Sequence, residues 1–212
     1  GWPVPALGSE VWRRLPEDDD ALPAAVLAHY GRPGLPVAGT QAALMALPRL
    51  RAPGRIGVLG PTYAEHARAW AQAGHGVETL TPEAVEAQLD RLDVLVVVNP
   101  DNPTARLLAA GTLLDWHARL AARGGWLLVD EAYMDAEPSE SLLAASGRPG
   151  LIVLRSLGKF WGLAGVRAGF VFADDDLRAA LADVLGPWSV SGPARTVAAL
   201  ALADRHWQDH AR

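Results

Sequence analysis

The chain has 212 residues, half of them hydrophobic and one fifth charged, enough apolar material for one large domain with a buried core and unlike the composition of a disordered segment. Nineteen Lys and Arg against twenty-four Asp and Glu leave a formal net charge of -5, so no global positive field draws the chain to nucleic acid or to an acidic membrane surface. Cysteine is absent, which excludes disulfide frameworks, thiolate metal sites and cysteine nucleophiles; with no membrane-length apolar run and no signal-peptide pattern in residues 1–10, the expected compartment is the cytoplasm.

Residues 1–20 carry Pro3, Pro5 and Pro16 and end in the acidic run 17–20, a composition suited to an extended arm that lies on another surface. The acidic run reads as a solvated turn, with Asp20 as the N-cap of a helix through ALPAAVLAHY. From Gly39 onward short β-branched or leucine-rich runs alternate with alanine-rich stretches of helical period. Strands are expected at 55–59, 93–98, 126–129, 151–154 and 169–172, and helices at 40–47, 64–73, 112–123, 175–185 and from 193 to about 209. The run LVVV is apolar on both faces, as in strands covered by helices on either side, and such strands are mostly parallel. The expected fold class is therefore α/β, a mainly parallel sheet with helices on both faces. An N-terminal arm and connecting helix would occupy 1–36 and one large domain 37–212.

In such a sheet ligands bind beyond the carboxyl ends of the strands. This directs attention to GPTY at 60–63, NPDNPT at 99–104, DEAY at 130–133 and RSLGK at 155–159. Together these segments hold what a pyridine aldehyde cofactor such as pyridoxal phosphate requires: an amine, an anion for the ring nitrogen, donors for the phenolate oxygen and a phosphate cup. Lys159 follows a buried strand and sits beside Phe160 and Trp161, surroundings expected to desolvate its ammonium in part. Asp130 is the expected anion, and Asn102 and Tyr133 the donors. Phosphate would meet the start of a helix at Thr40 and Gln41, the Ser156 hydroxyl and the Arg167 fork, while Tyr63 would cover one face of the ring. Singly, each has an ordinary reading: a surface lysine, a capping aspartate, a turn asparagine beside proline, a half-buried tyrosine. The six histidines form no HExxH or comparable cluster, and no metal site is expected. Trp116, Trp126, Trp161 and Trp188 read as core or dimer interface.

The segments NPDNPT at 99–104, VDEAY at 129–133 and RSLGKFWGLAGVRAG at 155–169, in this order and spacing, resemble the fold-type I pyridoxal-phosphate enzymes of the class I and II aminotransferase superfamily, over a stretch from about Val37 to the end. The resemblance implies the large domain of that fold and a homodimer. It implies Lys159 as the Schiff-base lysine, Asp130 at the pyridinium, Asn102 and Tyr133 at the phenolate oxygen, Thr40, Gln41, Ser156 and Arg167 around phosphate, and Tyr63 stacked on the ring. Within the superfamily, LPEDDDAL, LPVAGTQAAL, PTYAEHA and DEAYMDAEPSESL resemble the threonine-phosphate decarboxylase branch of cobalamin biosynthesis. That branch converts L-threonine O-3-phosphate, a phosphorylated amino acid, to aminopropanol phosphate. Histidinol-phosphate aminotransferases share most of the framework and are the rival. Some positions depart from the pattern. Gly158 replaces a frequent hydroxyl residue, Leu15 stands where relatives carry a tyrosine that reaches the partner subunit's phosphate, and Ala105 replaces a usual glycine. The chain also reaches Arg212 before the C-terminal small domain in which the family's substrate-carboxylate arginine lies, so that domain is expected to be absent and the substrate-carboxylate site with it. A truncated, inactive cofactor-binding or dimerisation module is the alternative of another class.

Overall fold

The computed structural model describes residues 1–211. In chain order the elements are α1 (Glu10–Arg13), α2 (Leu22–Tyr30), β1 (Leu35–Val37), α3 (Thr40–Ala46), β2 (Arg55–Leu59), α4 (Glu65–Gln72), β3 (Gly76–Leu80) and α5 (Pro82–Gln88). They continue with β4 (Val94–Val98), α6 (Ala110–Ala121), β5 (Trp126–Asp130), β6 (Leu151–Ser156), β7 (Gly169–Phe172), α7 (Asp175–Leu185), α8 (Gly192–Ala203) and α9 (Arg205–Ala211).

The strands form one seven-stranded sheet in the order β1-β7-β6-β5-β4-β2-β3. The five strands from β6 across to β3 run parallel, whereas β7 is antiparallel to both its neighbours. Helices cover both faces, as the continuous apolar runs predict. Alternate residues of the central strands divide between two cores: Leu95, Val97, Leu127, Val129, Leu151 and Val153 join one, while Val94, Val96, Leu128, Ile152 and Leu154 join the other with Trp70 and Leu181. Every one of these strand side chains is at most 1% exposed, and each fully buried Val, Leu or Ile contributes about 1.5–3 kcal/mol.

The two strands not anticipated from sequence are the sheet's edges. β1 is three residues long with Pro36 at its centre, tolerable only where one side of a strand has no neighbour, and it spans the expected junction at 36/37. β3 mixes Glu78 and Thr79 with apolar residues and is mostly solvent-facing. Helix α5 was also not anticipated, although Thr81 caps it by accepting from the Ala84 amide at 3.3 Å. The single helix expected from 193 to about 209 is two. Asp204 leaves helical geometry, and its Oδ1 accepts from the Trp207 amide at 3.0 Å to start α9.

The arm rests on its own chain and contains the short helix α1. The Trp2 amide donates to the Trp161 carbonyl at 2.7 Å and its indole to Asp204 Oδ2 at 3.0 Å. The acidic run does more than solvate a turn. The N-cap of α2 is Ala21 and not Asp20, which stands one residue too early for a cap bond; instead Asp20 Oδ1 accepts from the Leu22 amide at 3.0 Å, and both its oxygens face Arg195 of α8 (2.6 and 2.9 Å), which also pairs with Asp18 at 2.9 Å. Trp116 and Trp161 are buried, but Trp188 is 59% exposed.

Candidate active site

Parallel strands β4, β5 and β6 deliver their carboxyl ends to one edge, with register pairing Val98 to Asp130 and Asp130 to Leu154. Antiparallel β7 begins at that same edge, where Gly169 pairs with Ser156. The loops leaving these strands enclose a cavity of about 190 Å³ lined by all nine anticipated residues: Thr40, Gln41, Tyr63, Asn102, Asp130, Tyr133, Ser156, Lys159 and Arg167. Residues from five connections, separated by up to 127 positions, thus meet because the parallel topology stacks strand ends.

Asp130 ends β5 as a buried carboxylate. Its Oδ1 accepts from the Ala132 amide at 3.0 Å and its Oδ2 contacts His66 Nε2 at 2.9 Å, so the cost of burying the charge is offset locally. His66 was not singled out from sequence. It looked like one of six unclustered histidines, and only the turn of α4 that follows Tyr63 aims it at the sheet edge. It is fully buried, and its Nδ1 has no hydrogen-bond partner.

Asn102 Nδ2 donates to the Tyr133 hydroxyl at 3.4 Å, so both donors sit together. Buried Asp101 fastens the NPDNPT turn by accepting from the Thr104 amide at 3.3 Å and from the hydroxyls of Thr104 and Thr62. Ala105, in that turn, holds φ +57°, the left-handed region where glycine is at ease, which accounts physically for the glycine usual at this position.

Lys159 Nζ lies 5.1 Å from the centre of the Tyr133 ring, within cation–π range. The lysine itself is exposed at the cavity mouth. The expected desolvation by its aromatic neighbours does not occur, because Trp161 turns into the core and Phe160 packs edge-on against it. Ser156 Oγ accepts from the Gly158 amide at 3.2 Å. Arg167 takes φ +57°, and its Nη1 donates to the Ala164 carbonyl at 3.1 Å. Opposite it, Gly39 takes φ +71° and ψ 157°, a backbone conformation that strains other residues, and a Cβ there would stand 2.6 Å from Arg167 Nη2, so that the guanidinium would have to move aside. Glycine therefore opens the start of α3 to the guanidinium. Gln41 Nε2 is held by Glu65 Oε2 at 3.2 Å. Leu15 is 61% exposed and does not line this cavity.

Behind the edge, Glu131 and Arg155 point away from the cavity. Burial pushes the Glu131 carboxyl up, and the pull of Arg155 does not fully offset it. Burial also drives the Tyr30 phenol well above its ordinary value, with the Asp135 charge adding to the rise.

Fold and site together define a fold-type I aminotransferase-like protein. Residues 33–210 match the family Aminotransferase class I and II, and the chain belongs to it; the family is pyridoxal-phosphate-dependent. Among curated relatives, threonine-phosphate decarboxylase of Pseudomonas aeruginosa is 59% identical over 210 residues, covering 98% of this chain and 63% of the relative. The enzyme of the same name from Sinorhizobium sp is 47% identical, covering 92% of this chain and 60% of the relative. Histidinol-phosphate aminotransferase of Pectobacterium atrosepticum is 36% identical over 57% of this chain and 34% of its own. The chain thus spans about 60% of the length of the relatives it matches over nearly its whole extent. The same fold is seen in the crystal structures of histidinol-phosphate aminotransferase from Clostridium acetobutylicum (TM-score 0.84, 20% identity, 96% of this chain, 66% of that one) and L-threonine-O-3-phosphate decarboxylase from Porphyromonas gingivalis (0.82, 24%, 92% and 65%).

Proposed function

We propose that this protein carries out pyridoxal-phosphate-dependent decarboxylation of L-threonine O-3-phosphate to aminopropanol phosphate, a step of cobalamin biosynthesis, and works as a homodimer. The observation that carries the cofactor part is the composition of one cavity: an amine (Lys159), a buried carboxylate (Asp130), paired hydroxyl and amide donors (Tyr133, Asn102) and a cation facing a glycine-opened helix start (Arg167, Gly39). This donor set fits the cofactor's amine, ring-nitrogen, phenolate and phosphate requirements. The choice of branch is supported by the 59% identity to a threonine-phosphate decarboxylase.

In this reading Asp130 faces the pyridine nitrogen, and His66 with the Ala132 amide hold its two oxygens in place. Asn102 and Tyr133 donate to the phenolate oxygen, and Tyr63 covers the ring. Thr40, Gln41, Ser156 and Arg167 surround the phosphate. Bound there, pyridoxal phosphate supplies an electron sink for the pair released when a bond at the substrate α-carbon breaks. Lys159 Nζ, exposed and 5.1 Å from the Tyr133 ring, is the amine that would anchor the cofactor and would stand ready to deliver the proton that takes the place of the departing carboxylate at the substrate α-carbon.

The test is chemical. Purified protein loaded with cofactor and given L-threonine O-3-phosphate should release carbon dioxide without any keto-acid acceptor. Fast amino transfer from histidinol phosphate to 2-oxoglutarate with no carbon dioxide would replace this branch by its rival while leaving the cofactor reading intact.

A further inference from the structure

The loop that carries Lys159 is closed on itself by the Leu163 amide donating to the Leu157 carbonyl at 3.0 Å and the Gly162 amide to the Lys159 carbonyl at 2.9 Å. Within it the two side chains have opposite fates: Lys159 is exposed to the cavity, and Trp161, two residues on, is fully buried. Gly162, at φ +67°, reverses the chain directly after the tryptophan.

The Trp161 indole does not merely fill space. Its Nε1 donates to Asp135 Oδ2 at 3.3 Å. Its ring stacks on Trp207 at 5.4 Å and 21°, and His29 meets its edge. Asp135 in turn is gripped by Arg155 Nη1 at 2.8 Å, while Arg155 Nη2 reaches Glu131 Oε2 at 3.1 Å and Ser141 Oγ at 2.8 Å. Arg155 immediately precedes Ser156 and Glu131 immediately follows Asp130. Successive strand residues point to opposite faces, so this cluster lies directly behind the two strand ends that present Ser156 and Asp130 to the cavity. It binds together the end of β5, the end of β6 and, through the indole, the lysine loop.

Resting on the cofactor reading above, we propose that Trp161 and Asp135 are positioning residues for Lys159: the buried indole–carboxylate bond, backed by Arg155, fixes the lysine backbone relative to Asp130 and Ser156. A lysine side chain has four rotatable bonds, and attack on an aldehyde held by other elements depends on the placement of its root, because a small misplacement at the reacting amine is felt strongly in rate.

The experiment compares wild type, Trp161→Phe, Asp135→Asn and the double variant. Each is mixed with pyridoxal phosphate; the rate of covalent adduct formation is read from visible absorbance, the adduct is fixed by borohydride and mapped to its residue, and the pH midpoint of the absorbance band is recorded. Circular dichroism and the thermal midpoint check folding. Trp161→Phe keeps an aromatic ring and removes the indole donor, part of the stack and some buried volume, so the thermal midpoint is read beside the adduct rate. It should form the Lys159 adduct about tenfold more slowly, the order expected for one buried hydrogen bond to a charged acceptor, and shift the pH midpoint. Asp135→Asn should act in the same direction, and the double variant should be no slower than the slower single, since both remove one contact. A folded Trp161→Phe with wild-type adduct rate and pH midpoint overturns the proposal, and this variant alone decides if Asp135→Asn does not fold. Wild type that forms no adduct at Lys159 removes the cofactor reading, and this inference with it.

Discussion

A carboxylate at the end of a buried strand needs partners, and Asp130 has two on this chain, the Ala132 amide and His66. Lys159 is its opposite, a charge that the core does not use and that no ion pair engages among the described residues. Replacing it therefore should not touch packing. Lys159→Ala is expected to fold with the circular dichroism and thermal midpoint of wild type, yet to retain no cofactor covalently after borohydride reduction. Cofactor still covalently attached in that variant would assign the Schiff base to another residue. Asp130, Lys159 and the Asn102–Tyr133 pair were legible in the sequence because each follows a buried strand or sits in a proline-framed turn. His66 was not. Its role depends on a hydrogen bond to a residue 64 positions away, and nothing in the local pattern distinguishes it from the other histidines.

Among elements, the linkage of α2 and the arm to α8 is electrostatic at its centre. Burial alone would raise the Asp20 carboxyl, but the Arg195 guanidinium and the Leu22 amide outweigh it and hold the group below its usual value. Arg195 is raised correspondingly, chiefly by Asp20. The sign follows from linkage: a carboxyl whose folded pKa is depressed contributes stability above its unfolded value, near 3.9, and loses it as the pH falls through the lower folded value. Asp20→Asn is thus expected to lower unfolding free energy at pH 7 and to show a smaller difference at pH 3, below the ordinary carboxyl value of about 3.9. The check is denaturant unfolding of both proteins at the two pH values; a difference independent of pH would mean that the charge of Asp20 contributes nothing through Arg195. Edge strands β1 and β3 show the converse limit of pattern reading. Their alternation is interrupted by Pro36, Glu78 and Thr79 because a strand with one free side need not be apolar throughout.

For the whole molecule, the inner side of the arm is satisfied within the chain, through Trp2, Asp18 and Asp20. Its outer side is not. Trp12, Leu15 and Val4 are 67%, 61% and 54% exposed, and Val4, Leu7 and Trp12 line an apolar hollow of about 440 Å³ with Val166 and Val197, next to the Arg167 turn. A partner surface of the same kind is expected to cover it. Light scattering at micromolar concentration should report a dimer, and Trp12→Ser should weaken it by at least tenfold, since exposed tryptophans that become buried dominate such interfaces. A wild-type monomer under these conditions would refute the homodimer.

Periodicity and composition by themselves determined the α/β class, the five central strands and the residue set at their ends, because a sheet buried on both faces must be written in continuous apolar runs and its site must fall where those runs stop. Tertiary structure alone decided that β7 runs against its neighbours, that the arm is clasped by Arg195, that His66 reaches Asp130 and that Trp161 turns inward while Lys159 stays at the mouth. Each of these depends on contacts between residues distant in sequence, where local propensity carries no information.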